Sequence, residues 1–210
     1  MRHVRFSLAL IPVMCVATSA SGSIITLSQY SSNGTPAAYL DATMEFALSS
    51  TNLADSPTLT LEATNTTIAP NTYYINELYF NLPDWRSIDS ITLDLVDGST
   101  PSAWSQVGFV AVDGFGDFDV GLVDGVTPVN VIVPTQTKTF EFTLTGTGAI
   151  YDTDFTDANN LSTNNSFLAV VAAKFISGPG GDSAYGASIP DPATLSLLAL
   201  GGLMLLRRRQ

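Results

Sequence analysis

The feature of this sequence that most restricts its fold is a period-two alternation of apolar and polar residues, which recurs in short runs through the middle of the chain. In an extended strand, successive side chains point to opposite faces, so each run predicts a strand with one buried face and one solvated face. Clusters of Gly, Asn, Asp and Ser separate the runs and are typical of turns. The clearest alternating runs are Leu40–Leu48, Thr58–Asn65, Ile91–Val96, Asp117–Leu122 and Phe140–Thr145.

About eight to ten such strands, with no helical stripe between them, predict an all-β body over residues 23–188. Two stacked antiparallel sheets, as a β-sandwich or jelly roll, would bury the apolar faces. Ser166–Lys174 is the ambiguous run, because its Ala content suits a helix, whereas Val170, Val171 and Phe175 favour a buried strand. The expected core is filled by Phe46, Leu61, Phe80, Leu93, Phe140, Phe142 and their neighbours.

Charge is unevenly distributed along the chain, whose formal net charge is -11. Most of the Lys and Arg residues lie at the two ends, and the acidic body between them is expected to repel nucleic acid. The only Cys, Cys15, and the only His, His3, both lie near the N-terminus. Removal of that segment would exclude disulfides, Cys- or His-based nucleophilic catalysis, and ordinary zinc or copper sites.

Residues 1–22 have the pattern of a secretory signal peptide. A start that contains two arginines is followed by an apolar run from Phe6 to Ala17, and small residues allow cleavage after Ala20 or Gly22. The alternative is a buried N-terminal helix. We expect signal peptidase to remove this segment during export.

Residues 189–210 form a second segment of unusual composition. The apolar run Leu195–Leu206 is short for a membrane-spanning helix, which needs about 20 residues. Because the run has almost no polar face, a lipid environment or an apolar groove suits it better than docking as an amphipathic helix. The basic cluster behind it would stay cytoplasmic, so the body would lie outside the cytoplasm. The residues that flank the run are Pro190, Asp191, Pro192, Arg207, Arg208 and Arg209.

The order of Pro-Asp-Pro, an apolar run with Gly201-Gly202, and an arginine cluster resembles the PEP-CTERM sorting signal of Gram-negative bacteria. Asp191 stands where that family usually has Glu. The resemblance implies a transient inner-membrane anchor that exosortase, a transpeptidase-like membrane enzyme, recognises and cuts near the Pro-acid-Pro motif. It also implies a final location at the cell surface or in the extracellular matrix. Over Val112–Asp119 and Ala173–Ala184 the body is similar to uncharacterised bodies that accompany this signal, and no catalytic residue is carried over from them.

Two acidic clusters are candidate calcium-binding sites, because Ca²⁺ prefers oxygen ligands such as carboxylates. The first cluster is not an EF-hand, because Phe115 and Phe118 occupy positions that need a ligand and a Gly. A solvated strand face after a turn at Asp113-Gly114 is the main interpretation, and a weak calcium site is the alternative; no other cofactor is expected. The first cluster consists of Asp113, Asp117, Asp119 and Asp124, and the second of Asp152, Asp154 and Asp157.

Three functions are open for the body, of which a non-enzymatic surface or matrix protein is the main hypothesis. The second is a carbohydrate-binding module for extracellular polysaccharide, in which Trp85 and Trp104 would stack on sugar rings, although large aromatics are generally buried. The third is a carboxylate-based glycoside hydrolase, which needs two acids on either side of a cleft. The candidate acids by residue type are Glu45, Glu62, Glu77 and Glu141.

Overall fold

The computed structural model describes residues 22–27, 30–31, 40–67, 73–125, 130–163, 168–176 and 183–188. The expected signal peptide, apart from Gly22, and the expected sorting segment at residues 189–210 lie outside the described residues. Within the part that is described, no helix is long and apolar enough to cross a membrane.

The described residues fold into β-strands joined by turns, with short 3-10 turns at Leu53–Asp55 and Asp152–Thr156. The strands follow the alternating runs of the sequence, because each run can bury one face while its polar face stays in water. In chain order they are β1 (Ser23–Thr26), β2 (Tyr30–Ser31), β3 (Ala42–Leu48), β4 (Thr58–Asn65), β5 (Tyr74–Phe80), β6 (Ser87–Val96), β7 (Trp104–Val112), β8 (Gly116–Asp124), β9 (Thr137–Thr147), β10 (Val171–Ile176) and β11 (Ser183–Ser188).

The strands form two antiparallel sheets that face each other across an aromatic core. The first sheet has the order β1-β3-β4-β9-β6 and the second β2-β11-β10-β5-β8-β7. Phe80 of the second sheet joins them, because its ring makes edge contacts with Phe46 and Phe142 of the first sheet at centroid distances of 5.5 and 5.7 Å. The expectation of an all-β body made of two antiparallel sheets, arranged like a β-sandwich, is confirmed.

The main core contains the residues that the sequence pattern places there. Phe46, Leu61, Phe80, Phe140 and Phe142 are fully buried, and each such side chain contributes about 1.5–3 kcal/mol to stability. Leu93 packs against the core but is only partly buried, because β6 is the edge strand of its sheet. Of the ambiguous run Ser166–Lys174, residues 171–174 form part of the buried strand β10 between β11 and β5, as expected, whereas residues 166–167 lie outside the described residues.

A second apolar cluster covers the outer face of the second sheet. Ala172 alternates along β10 with the core residues Val171 and Ala173, and it pairs across the sheet with Tyr79 and Ala187. The sheet is therefore packed on both faces over this region. The cluster consists of Tyr79, Val112, Phe115, Phe118, Ala169, Ala172 and Ala187.

The alternation of β8 breaks near its middle. Val120 and Leu122 lie in the main core, whereas Phe118 packs in the outer cluster. The pairing of β7 with β8 skips Phe109 and Asp119, and Phe109 has a positive φ of 48°. A left-handed residue interrupts the extended conformation within the strand, and the regular alternation of faces is interrupted with it. The sequence-based assignment of one face to all three residues is thus wrong for Phe118.

Candidate functional site

Trp85 lies in the turn between β5 and β6, at one end of the two sheets. The turn is closed by the backbone N–H of Arg86, which donates to the carbonyl oxygen of Pro83 at 2.9 Å. Trp85 is 46% exposed, which is unusual for the largest side chain in proteins. The sequence-based candidate therefore stands where a ligand can reach it.

A second exposed aromatic residue, Tyr151, comes to the same end of the molecule at the start of the 3-10 turn Asp152–Thr156, and it is also 46% exposed. The guanidinium carbon of Arg86 lies 5.2 Å from the centroid of the Tyr151 ring, within the range of a cation–π contact. Arg86 therefore links the turn that carries Trp85 to the turn that carries Tyr151.

The Asp154 carboxylate holds Arg86 and the backbone of Tyr151 together. Its carboxylate accepts two hydrogen bonds from Arg86, from Nε at 2.7 Å and from Nη2 at 2.8 Å, and a third from the backbone N–H of Tyr151 at 2.9 Å. Burial opposes the charge on Asp154, but the Arg86 and Tyr151 hydrogen bonds, with a contribution from Trp85, hold the pKa of Asp154 below its ordinary value. The four residues Trp85, Arg86, Tyr151 and Asp154 are called the aromatic platform below.

Buried side chains hold the platform in place. Phe155, next to Asp154, is fully buried and stacks on Phe46 with a centroid distance of 5.4 Å and an interplanar angle of 10°. The buried Asn160 side chain donates to the carbonyl oxygens of Asn81 at 2.9 Å and of Asp154 at 3.3 Å. The two turns are thus tied to each other and to the core, which limits the ordering that a ligand would have to impose.

Trp104, the other candidate for sugar stacking, belongs to the core. It is 3% exposed, makes an edge contact with Phe140 at 5.1 Å, and donates from Nε1 to the carbonyl oxygen of Asn130 at 2.9 Å. Burial of its ring leaves no face for a sugar. Part of Trp104 lines a shallow groove of about 470 Å³ between the edge strands β6 and β7, where Gln106 pairs with the backbone of Ile91 and Leu93.

The structure does not bring the four aspartates of the first acidic cluster together. Asp113 lies exposed in a turn, whereas Asp119 accepts from the backbone N–H of Leu82 at 2.9 Å. Asp124 lies at the far end of β8, about 16 Å along the strand from Asp119. Among the described residues, no group of three or more His, Cys, Asp or Glu side chains is placed to hold a metal ion. Asp154 of the second cluster already has Arg86 as its partner.

Two aspartates of β8, the partly buried Asp119 and the buried Asp124, have altered pKa values. Burial raises the pKa of Asp119, and the nearby negative charge of Asp84 adds to the increase. Burial also raises the pKa of Asp124, against hydrogen bonds from the backbone of Asn130 and Gly125. The Oδ1 atom of Asp124 is buried without a hydrogen-bond partner. Each shift follows from local burial rather than from a shared site.

The candidate glutamates lie on strands rather than around a cleft. Glu45 and Glu62 are direct cross-strand partners on β3 and β4 of the first sheet, and Glu141 lies on β9 of the same sheet. Glu77 lies on β5 of the second sheet and accepts from Lys174 Nζ at 2.6 Å and from the Tyr79 hydroxyl. Glu77 is therefore the partner of Lys174 in an ion pair.

A search of protein-family models, curated proteins and solved structures finds no match to this chain. The geometry alone therefore defines the candidate site. Sequence reasoning identified Trp85 but missed Arg86 and Tyr151, because the contacts between residues 85–86 and 151–154 depend on the meeting of two distant turns. A signal was present in the sequence, since Arg86 is one of only three cationic residues in the body and lies next to an aromatic residue.

Proposed function

We propose that the body is a non-catalytic carbohydrate-binding domain of an exported surface or matrix protein. The observation that carries the proposal is the aromatic platform, in which Trp85 and Tyr151 are exposed at one end of the molecule around the Arg86–Asp154 pair. Large exposed aromatic side chains at a fixed polar centre are a common feature of ligand-binding surfaces. The apolar C–H face of a sugar ring can pack against such rings while its hydroxyl groups bond to nearby polar atoms.

The polar centre of the platform suits sugar hydroxyls. Arg86 has five N–H donors, and the structure assigns Nε and Nη2 to Asp154. The guanidinium carbon lies 5.2 Å from the centroid of the exposed Tyr151 ring, and a sugar hydroxyl would accept from the remaining donors. Since both turns are anchored before any ligand arrives, little binding energy is lost in ordering them.

Export and sorting complete the proposal and are supported by the two chain ends. The signal-peptide pattern of residues 1–22 directs the body out of the cytoplasm. The segment 189–210, with its resemblance to the PEP-CTERM signal, places the protein transiently in the inner membrane as an exosortase substrate. Intact mass of the protein recovered from its host tests this part: a chain that starts at Ser21 or Ser23 and ends near Pro190 supports both cleavages, and retention of Leu195–Gln210 contradicts the sorting step.

Binding can be tested with the purified body, residues 23–188, by affinity electrophoresis in gels that contain a panel of soluble polysaccharides. The expected result is retardation by at least one polysaccharide for the wild type and loss of retardation for Trp85→Ala and Tyr151→Ala. Trp85→Phe is the matched variant, because it keeps an aromatic face and should retain part of the binding. Thermal unfolding should show all three variants folded, since both positions are exposed.

Two outcomes would contradict the proposal. One is the absence of retardation by every polysaccharide in the panel. The other is unchanged binding in Trp85→Ala, which would place the sugar elsewhere on the molecule. Release of reducing sugar ends by the wild type would instead favour the carboxylate-based hydrolase.

A further inference from the structure

The charges around the aromatic platform bear on the kind of polysaccharide that it can accept. Trp85 follows Asp84, which is exposed, and Tyr151 precedes Asp152, which is half-buried. Both carboxylates are adjacent in the chain to a ring of the platform. Consecutive Cα atoms lie about 3.8 Å apart, which is well within the screening length of about 8 Å at physiological ionic strength, so both charges contribute to the potential around the rings.

The only cation of the platform does not offset these charges. Arg86 is paired through two hydrogen bonds with Asp154, so the pair is neutral as a unit. Among the described residues, the other two cations also form ion pairs, Lys138 with Asp97 at 2.7 Å and Lys174 with Glu77 at 2.6 Å. Asp84 and Asp152 have no cationic partner among these ion pairs, which leaves the rim of the platform negative.

We infer that the ligand of the platform is a polysaccharide with protonated amino groups, such as a polymer of glucosamine units, and that polymers of uronic acids are rejected. The inference rests on the proposed function and adds the charge class of the ligand. The sugar rings would pack on Trp85 and Tyr151, and ammonium groups along the polymer would lie close to Asp84 and Asp152. A uronate polymer would place carboxylates close to the same two aspartates, and like charges that are brought close together repel.

The test compares three soluble probes of matched length: a glucosamine oligomer, a neutral glucose oligomer and a galacturonate oligomer. Binding to the body, residues 23–188, is measured by calorimetry at low and at physiological salt. The expected order of affinity is glucosamine, then glucose, with galacturonate undetected. Added salt should weaken binding of the glucosamine oligomer and leave that of the glucose oligomer unchanged, because only the former has a Coulombic component.

General attraction between a polycation and an acidic protein must be separated from binding at the platform. Asp84→Asn removes one negative charge at the platform, and Glu62→Gln removes one from β4. Glu62 lies far from the platform. It pairs with Thr139, whose backbone N–H donates to Asp97. Asp97 follows the last residue of β6, about 30 Å along that strand from the platform at its first residue. We expect Asp84→Asn to weaken binding of the glucosamine oligomer about two- to fivefold, and Glu62→Gln to leave it unchanged.

The outcomes separate the inference from the proposed function. Equal losses in Asp84→Asn and Glu62→Gln, or glucosamine binding that survives Trp85→Ala, would show attraction to the whole acidic surface and overturn the inference. Galacturonate binding that equals glucosamine binding and disappears in Trp85→Ala would overturn the charge class while the carbohydrate-binding function stands. Failure of all three probes together with the wider panel would remove both.

Discussion

Arg86 and Asp154 form a bidentate ion pair, in which Nε and Nη2 of the guanidinium lie 2.7 and 2.8 Å from the two carboxylate oxygens. The residues are far apart in the sequence and come from separate turns, one that leads into β6 and one that follows β9. The side chain of Asp154 is 9% exposed and that of Arg86 is 22% exposed. The pair therefore links two turns through a mostly buried carboxylate, so that it affects both stability and the shape of the aromatic platform.

Substitution of Arg86 should lower stability because it leaves the mostly buried Asp154 carboxylate without its cationic partner. We expect Arg86→Ala to lower the free energy of unfolding by about 1.5–3 kcal/mol, the range for hydrogen bonds to charged groups. Arg86→Lys keeps the charge but cannot make two parallel bonds, so its loss should be intermediate. Urea denaturation of the body at pH 7 measures both. If Arg86→Ala matched the wild type, the pair would contribute nothing to folding.

The pH dependence of stability should show the lowered pKa of Asp154. Its folded-state pKa lies below its unfolded value of about 3.9, so its contribution is present above that value and is lost as the pH falls through the folded pKa. Asp154→Asn should therefore destabilise the body at pH 7, and the difference from wild type should shrink below about pH 4. Urea denaturation at a series of pH values gives this difference, with Glu62→Gln as an exposed control. A constant difference across the series would contradict the assignment.

The same substitution at Asp124 should have the opposite pH dependence. Burial raises the folded-state pKa of Asp124 above its unfolded value, so ionisation costs stability as the pH rises from about 3.9 through the folded pKa. Asp124→Asn removes that cost, and its amide oxygen can still accept from the backbone N–H of Asn130. We expect the variant to gain stability relative to wild type on going from pH 4 to pH 7. A gain toward acid pH instead would mean that the carboxylate is stabilised in its charged form.

Much of the fold could be predicted from the sequence because it depends on local alternation. Phe140 and Phe142 each lie between polar neighbours on β9, and Phe46 shares one face of β3 with Met44 and Leu48, so the two faces of each strand could be assigned. The same rule failed at Phe118, since the positive φ of Phe109 on the neighbouring strand leaves no mark in the alternation of β8. A bulky residue in the left-handed region is rare enough that no pattern rule anticipates it.

The site was less predictable than the fold, because it is made of contacts between distant turns. Trp85 and Trp104 look alike in the sequence, as single tryptophans near turn residues, and only the packed structure shows one exposed and the other buried against Phe140. Tyr151 gave no signal of its own. Its role follows from Arg86 and Asp154, whose partnership is set by the way the sheets end rather than by spacing along the chain.

The register of β9 gives a direct contrast between two neighbouring residues. Phe142 is fully buried and contacts Phe80, whereas Glu141 is partly exposed on the other face of the strand. We expect Phe142→Asp to leave the body unfolded at room temperature, because it places a charge in the core and removes an aromatic side chain worth about 3–5 kcal/mol.

Glu141→Lys is the matched control one residue away. It should change the free energy of unfolding by no more than about 0.5 kcal/mol, since its side chain can stay at the surface. Circular dichroism melting curves of the two variants and the wild type make the comparison. A melting temperature lower for Glu141→Lys than for Phe142→Asp would mean that β9 presents its opposite face to the core. The pairings of Leu59 and Leu93 with Phe142 would then have to shift by one residue on both sides of the strand.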